Sequence, residues 1–335
     1  MELPVDYPKP FRLLDLPSLA RDIIFSEWSI KELYHLSKLS RRSRYAVKMF
    51  TPRQKYYLNI TVFNSYCYFE ISKRFDNAFR HIWSSNSIQP LSDVSLTTHS
   101  ENSWATTKEE IVYCFDVFTK NVNRLHFYDT TNVTKMTEFL KGKTGLPIDW
   151  VVYDVRVIDD EMYKYLLREF KNAKKLEIWA SPSANFRFDD MEPFTGEYIK
   201  IKDADWLTVD HLTRCFNNVE RVRLWTDSGR CLNVLVFNQY LNAWRNGLKV
   251  GKLDLQCGYI NTDLQSVFKN VPKTQVKRVE VRNKKRLFKD GKCFLIRQEE
   301  FGVEAIVYFK VKNPHNNHML RFTTNFRLLR DDESN

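Results

Sequence analysis

Residues 151–225 read VVYDVRVIDDEMYKYLLREFKNAKKLEIWASPSANFRFDDMEPFTGEYIKIKDADWLTVDHLTRCFNNVERVRLW, and their periodicity decides the architecture. Four short β-type runs stand out: Val151-Val152-Tyr153, Leu176-Glu177-Ile178-Trp179, Ile199-Lys200-Ile201 and Val222-Arg223-Leu224-Trp225. Helix signals fall between them. Asp159-Asp160-Glu161 precedes Tyr165, Leu166 and Phe170, and Thr208 precedes Leu212 and Phe216, with polar or acidic residues where the first free N–H groups of a helix need acceptors. Strand, helix, strand in so short a unit implies parallel strands joined by right-handed crossovers.

The same unit extends outward in both directions. Further runs lie at Val94-Ser95-Leu96, Arg124-Leu125-His126-Phe127, Leu253-Asp254-Leu255 and Val279-Glu280-Val281. Centred on Leu96, Leu125, Val152, Leu176, Ile199, Val222, Leu253 and Val279, the repeat is roughly 23 to 31 residues, against about 20–29 for leucine-rich repeats. Thr107-x-x-Glu110 opens a helical run with Ile111, Phe115 and Phe118; Phe237, Leu241 and Trp244 share one helical face, and so do Leu264, Val267 and Phe268. The expectation is an α/β chain: a degenerate leucine-rich-repeat-like solenoid with parallel strands on the concave side and helices outside. After Val281 the pattern changes. Asp290-Gly291 between Leu287-Phe288 and Cys293-Phe294-Leu295-Ile296 is a hairpin signal, and Ala305 to Val311 and Met319 to Phe326 read as two more strands joined through Asn313 to His318. A C-terminal antiparallel β cap is therefore expected over the edge of the array.

The segment Phe11 to Phe50, FRLLDLPSLARDIIFSEWSIKELYHLSKLSRRSRYAVKMF, reads as a series of short helices. Leu16-Pro17 puts a proline at a helix start, where its missing N–H costs nothing. Leu19, Ile23, Ile24 and Trp28 recur at helical spacing, Ser29 with Glu32 forms a capping box, and Leu33, Leu36 and Leu39 follow on an apolar side. So short a segment cannot bury that much apolar surface alone, and an amphipathic hook seated in a partner's groove is a common solution.

These residues resemble an F-box: Leu16-Pro17, Ile24-Phe25, Trp28, Glu32-Leu33, Leu36-Ser37 and Ser40-Arg41-Arg42 keep its order and spacing, with departures at Ser18-Leu19 and Ser43. Further along, Asp205-Trp206-Leu207-Thr208, then Asn238-Gln239-Tyr240-Leu241-Asn242-Ala243-Trp244-Arg245-Asn246-Gly247 and Leu253-Asp254-Leu255 resemble the F-box-associated (type 2) domain of the large nematode F-box families. The resemblance implies a non-catalytic substrate receptor of a cullin-based (SCF-type) ubiquitin ligase, partnered by a Skp-type adaptor, a cullin and a protein target that it marks for degradation. It implies adaptor binding by Leu16, Pro17, Ile24, Phe25, Trp28, Leu33 and Leu36. The domains expected are an F-box over 1–50, the repeat domain over 51–283 and the cap over 284–330.

Strand alternation supplies the target surface. If Leu176 and Ile178 face the core, Glu177 and Trp179 face the other way. The same phase selects His126 and Tyr128, Lys200 and Lys202, Arg223 and Trp225, Asp254 and Gln256, and Glu280 and Arg282.

Composition narrows the rest. The chain of 335 residues is 43% hydrophobic and 14% aromatic, enough for a folded protein, and its net charge of +11 is spread along its length. No secretory signal or long apolar run is visible, so a cytoplasmic or nuclear location without membrane contact is expected. Cys67, Cys114, Cys215, Cys231, Cys257 and Cys293 stand singly, which suits buried thiols rather than a zinc site. His315-x-x-His318 lies in an Asn-rich turn without cysteine, and no phosphate loop, nucleophile elbow or metalloprotease motif occurs. No cofactor, metal or catalytic residue is expected. A scaffold with a decayed F-box and, with less support, an RNA-binding module that draws on the positive charge and aromatics remain as alternatives.

Overall fold

The computed structural model describes residues 12–51, 56–64, 66–73, 76–84, 95–99, 103–119, 121–144, 148–225, 234–248, 252–256, 264–281, 284–288, 292–311 and 318–329. The chain is mixed α/β and divides into two units, residues 1–125 with 131–146 and residues 126–130 with 147–335.

The first unit opens with a 3-10 turn, Leu13–Asp15, and three helices, α1 (Ser18–Glu27), α2 (Ile30–Leu39) and α3 (Arg41–Phe50). Ser29 caps α2 in the expected box: its side chain accepts from the Glu32 N–H at 3.3 Å, and the Ser29 N–H donates to Glu32 Oε2 at 2.7 Å. These bonds hold the Glu32 carboxyl below its ordinary range. A second box, Ser40 with Ser43, starts α3. Next come β1 (Tyr56–Val62), β2 (Tyr66–Lys73), β3 (Asp76–Ser84), β4 (Ser95–His99), α4 (Ser103–Val117), β5 (Val122–Phe127), and α5 (Val133–Thr144). Strands β1 to β3 form an antiparallel meander and β4 runs parallel to β3. The first expected repeat strand is therefore corrected, because in the order β5-β1-β2-β3-β4 the meander separates β4 from β5. The physical reason lies in β1 and β2, where Leu58 pairs with Ile71 and Ile60 with Phe69, all fully buried, so this pair needs no neighbouring repeat to cover it.

The second unit begins with β6 (Ile148–Tyr153), α6 (Asp160–Glu169), β7 (Lys175–Ile178), β8 (Tyr198–Lys202), β9 (Arg221–Trp225), α7 (Val234–Arg245), β10 (Lys252–Gln256), and α8 (Leu264–Val267). Strands β6 to β10 are parallel, in chain order and in register. One row runs Val151, Leu176, Ile199, Val222, Leu253 and another Tyr153, Ile178, Ile201, Leu224, Leu255. Their described members are buried. Asp159 caps α6 by accepting from the Met162 N–H at 2.8 Å, as expected. Between β7 and β8 the chain instead makes an irregular loop, held down by buried Phe186, Phe188 and Phe194. A π-helical turn, His211–Cys215, serves between β8 and β9. Several residues of the resemblance signature are core and capping residues here. Tyr240, Leu241 and Trp244 are buried, the Asn238 side chain donates to the carbonyls of Val267 at 3.0 Å and Lys269 at 2.8 Å, and Gly247, at φ 106°, ends α7 in a conformation that disfavours a side chain.

The remaining strands are β11 (Thr274–Gln275), β12 (Arg278–Val281), β13 (Lys284–Leu287), β14 (Cys293–Arg297), β15 (Glu304–Val311), β16 (His318–Thr323), and β17 (Arg327–Leu328). The antiparallel cap is present, with β16 pairing along β10 and β15 along β16. Three expectations are corrected. Strand β12 does not continue the array, because β16 occupies the edge of β10; β12 joins β13 and β17 in a separate antiparallel sheet. Strand β13 accordingly pairs with β12 and not with β14, and a boundary at 283/284 would cut that sheet. Val279 and Val281 seat the small sheet on Cys293, Ile306 and Tyr308. Asp290, Gly291, His315, Cys231 and Cys257 lie outside the described residues, whereas Cys67, Cys114, Cys215 and Cys293 are free and buried.

Gly196 lies just before β8, where the N–H groups of Glu197 and Tyr198 donate to the Lys174 carbonyl at 2.8 and 3.1 Å. A Cβ at this position would overlap the Ala173 carbonyl oxygen, which is backbone and cannot swing away. Gly196→Ala is expected to cost about 1–3 kcal/mol, the range for overpacking a tight site, read as a lower urea midpoint at unchanged slope.

Candidate protein-interaction surfaces

The helical hook of the first unit is bolted to α4 by two carboxylates. Glu110 accepts from the Tyr34 hydroxyl and the Lys38 ammonium, each at 2.7 Å, and Lys38 also sits 3.6 Å from the Tyr113 ring centroid. Asp116 accepts from Lys48 at 2.5 Å and pairs with Arg44 at 2.9 Å. The hydrogen bond from Lys48 is the main cause of an Asp116 carboxyl held below its ordinary 3.8. Beneath these contacts lie buried Phe25, Ile30, Leu33, Tyr34, Val47 and Phe50, with the Phe25 and Phe50 rings edge to face at 5.6 Å.

This packing sorts the expected adaptor-binding residues. Phe25 and Leu33 are each 1% exposed, so they hold the hook together and are corrected from surface to core. Leu16, Ile24, Trp28 and Leu36 are half-buried, and Pro17 is exposed. Sequence reasoning placed Leu19 and Ile23 on the same apolar face as Ile24 and Trp28, and Leu39 with Leu33. In the fold Leu19 is 73%, Ile23 61% and Leu39 77% exposed, because α1 turns its Phe25 side inward and the Leu19-Ile23 stripe outward. Tyr45 and Met49, one turn apart on α3, are also exposed and were not anticipated.

The second surface is the polar face of β6 to β9. Register rows Trp150, Lys175, Tyr198, Arg221 and Val152, Glu177, Lys200, Arg223 alternate with the buried rows, as the phase argument requires. Trp179 donates its indole N–H to Glu177 Oε2 at 3.1 Å, and the Lys200 ammonium lies 3.2 Å from the Trp179 ring centroid and 3.6 Å from the same carboxylate. Lys200 is only 7% exposed, so it is part of a structural cluster and not an open contact. His126 is buried as well, its ring 4.0 Å from that of Tyr128 and its Nε2 3.9 Å from Asp154, whereas Tyr128 is exposed. Lys202 and Arg223 are half-exposed, and an Arg223 hydrogen bond partly offsets the burial that raises the Tyr198 hydroxyl. Glu280 sits in the small sheet, paired with Lys285 and Arg327, which takes it off this face. Arg282 and the side chains of Trp225, Asp254 and Gln256 lie outside the described residues.

The small sheet also bounds this surface. By register Tyr308 lies in the row of Arg321, Asp254 and Arg223, so the sheet seated on Ile306 and Tyr308 covers the β14–β15 end of the polar face. Helix α7 packs on the opposite side, with Trp244 edge to face on Phe322 at 5.0 Å.

Among the described residues no cluster of His, Cys, Asp and Glu could hold a metal, and no helix is long and apolar enough to cross a membrane. Comparison with protein-family models finds no matching family, and comparisons with curated proteins and with solved structures find no match.

Two outcomes follow. A depressed folded-state pKa stabilises above the unfolded value and loses that contribution as pH falls through the folded one. Asp116 therefore stabilises the hook fully above the ordinary carboxylate range, and that contribution is lost as pH falls below this range through the lowered folded value. Denaturation midpoints are expected to fall less between neutral and strongly acid pH in Asp116→Asn than in the parent chain. In the second unit, Glu177→Gln leaves the Lys200 charge without its carboxylate, and the cost is expected toward the lower end of the ~3–5 kcal/mol seen when one partner of a buried pair is removed. Adding Lys200→Met should restore most of it, as a double-mutant cycle would measure.

Proposed function

We propose that the chain is the substrate receptor of a cullin-based ubiquitin ligase, with residues 13–50 as an F-box-type hook and β6 to β10 as a degenerate leucine-rich-repeat-like array. The observation that carries this reading is the division of labour in the hook. Phe25 and Leu33 bind it to its own unit, while Leu19, Ile23, Leu39, Tyr45 and Met49 face solvent beside half-buried Leu16, Ile24, Trp28 and Leu36. Exposed apolar side chains so concentrated in one short segment mark a protein-binding surface. The resemblance of Leu16-Pro17, Ile24 and Trp28 to an F-box supports a Skp-type adaptor, linked to a cullin, as the partner of this surface. The polar face of β6 to β9 would then hold the target. The chain contributes no reactive group in this reading; it raises the effective concentration of the target beside a ubiquitin-loaded enzyme.

The test is binding of the purified chain to a recombinant Skp-type adaptor. Deleting the first fifty residues would strip Phe25, Leu33 and Phe50 from the core, so surface variants are the better probe. The triple variant Leu16→Ala, Pro17→Ala, Ile24→Ala is expected to lose the adaptor, since one buried anchor truncated at such an interface costs about 2 kcal/mol or more. Its circular dichroism and melting should stay close to the parent's. An adaptor that does not bind the parent chain, or binds the variant equally well, would sink the reading.

A further inference from the structure

The charged side chains described on the polar face of β6 to β9 and of β16 are strongly unbalanced. Lys175, Lys200, Lys202, Arg221, Arg223 and Arg321 share it with two carboxylates, Glu177 and, just past β6, Asp154. Like charges on neighbouring strands repel; Lys200 is answered by Glu177, and a ligand of opposite charge would relieve the repulsion among the other cations. That concentration contrasts with the diffuse charge of the chain as a whole.

The aromatic rings on this face decide between the two polyanions that such a surface suits. Single-stranded nucleic acid binds by stacking bases on open ring faces. Here those faces carry cations: Lys200 lies over Trp179, Arg221 over Tyr198 at 5.3 Å and Lys175 over Trp150 at 5.5 Å. A base could stack there only by displacing them. The guanidinium groups suit the other ligand, since a planar guanidinium matches a carboxylate in geometry and charge better than it matches a base. The small sheet that closes one end of the face leaves an open shelf along β6 to β9, where Lys175 is exposed and Trp150, Tyr198, Arg221 and Arg223 are half-exposed.

We infer that this shelf binds an acidic protein segment, rich in Asp and Glu, through Lys175, Arg221 and Arg223. The inference rests on the reading of this face as the target surface and gives that target a chemistry. Electrostatic complementarity of this kind governs which partner is accepted and how fast it associates.

The experiment uses the full chain and three labelled probes in a fluorescence-anisotropy titration: a glutamate-rich peptide, a lysine-rich peptide of equal length, and an oligouridine strand. The glutamate-rich peptide is expected to bind, more weakly as salt rises, and the lysine-rich peptide not at all. The variant Lys175→Gln, Arg221→Gln, Arg223→Gln is expected to weaken the glutamate-rich peptide about tenfold or more. It leaves the Glu177, Trp179, Lys200 cluster in place, and an unchanged melting curve verifies its fold. Tighter binding of oligouridine than of the peptide would overturn the inference, as would full peptide binding by the variant. Adaptor binding by the parent chain is read in parallel: peptide failure with the adaptor bound removes this inference alone, and adaptor failure with the peptide bound removes the receptor reading alone.

Discussion

The run of β6 to β10 follows from one constraint: parallel strands in register must share a single alternation. Once Leu176, Ile199 and Val222 lie side by side, Glu177, Lys200 and Arg223 are forced into a common row on the other face. Neither row can shift by one residue without burying a line of charges. The crossovers are free to vary under that rule, and they do, from a regular helix at α6 to a π-turn at His211–Cys215 and an irregular loop pinned by Phe186, Phe188 and Phe194. What the connections share is an apolar underside, supplied by helix or loop alike.

The first unit is organised differently, by ion pairs on a hydrophobic base. Glu110 and Asp116 lie on α4, less than two turns apart, and each gathers groups from α2 or α3. Solvent screens such bonds, and their worth lies mainly in orientation. The burial of Phe25, Leu33, Val47 and Phe50 stabilises the hook, and the carboxylates fix which helix face is turned outward. The same arrangement explains why so much apolar side chain remains on the surface, because three ten-residue helices packed on one side have no second side to hide.

Local signals were legible where the chemistry is local. The Ser29–Glu32 box, the Asp159 cap, the parallel run from β6 to β10 and the final antiparallel strands all rest on neighbours a few residues apart or on a repeated pattern. Reasoning failed where pairing is set at long range. Val279-Glu280-Val281 has the composition of a repeat strand, and nothing in it reveals that β16 reaches β10 first. The meander of β1 to β3 does not show at the repeat length, because hairpins pair at shorter separations, although Tyr56 to Val62 alternates visibly. Helix α5 was missed as well; its spaced Val133, Met136 and Leu140 are the buried signal. On the candidate surfaces, alternation gave direction but not depth, so His126, Lys200, Phe25 and Leu33 were read as contacts when packing had already claimed them.

The antiparallel pairing of β16 along β10 has a consequence for biosynthesis. During translation the array grows strand by strand, each new parallel strand closing the edge left by the last. Growth stops at Gln256, and the strand that closes this edge, 318–323, leaves the ribosome only after β11 to β15 have been made. For that interval a nascent chain presents an open row of N–H and carbonyl groups, the template on which neighbouring chains on a polysome stick to one another. Yield in the cell then depends on how long the edge stays open, a property of elongation speed and chaperone supply rather than of the finished fold.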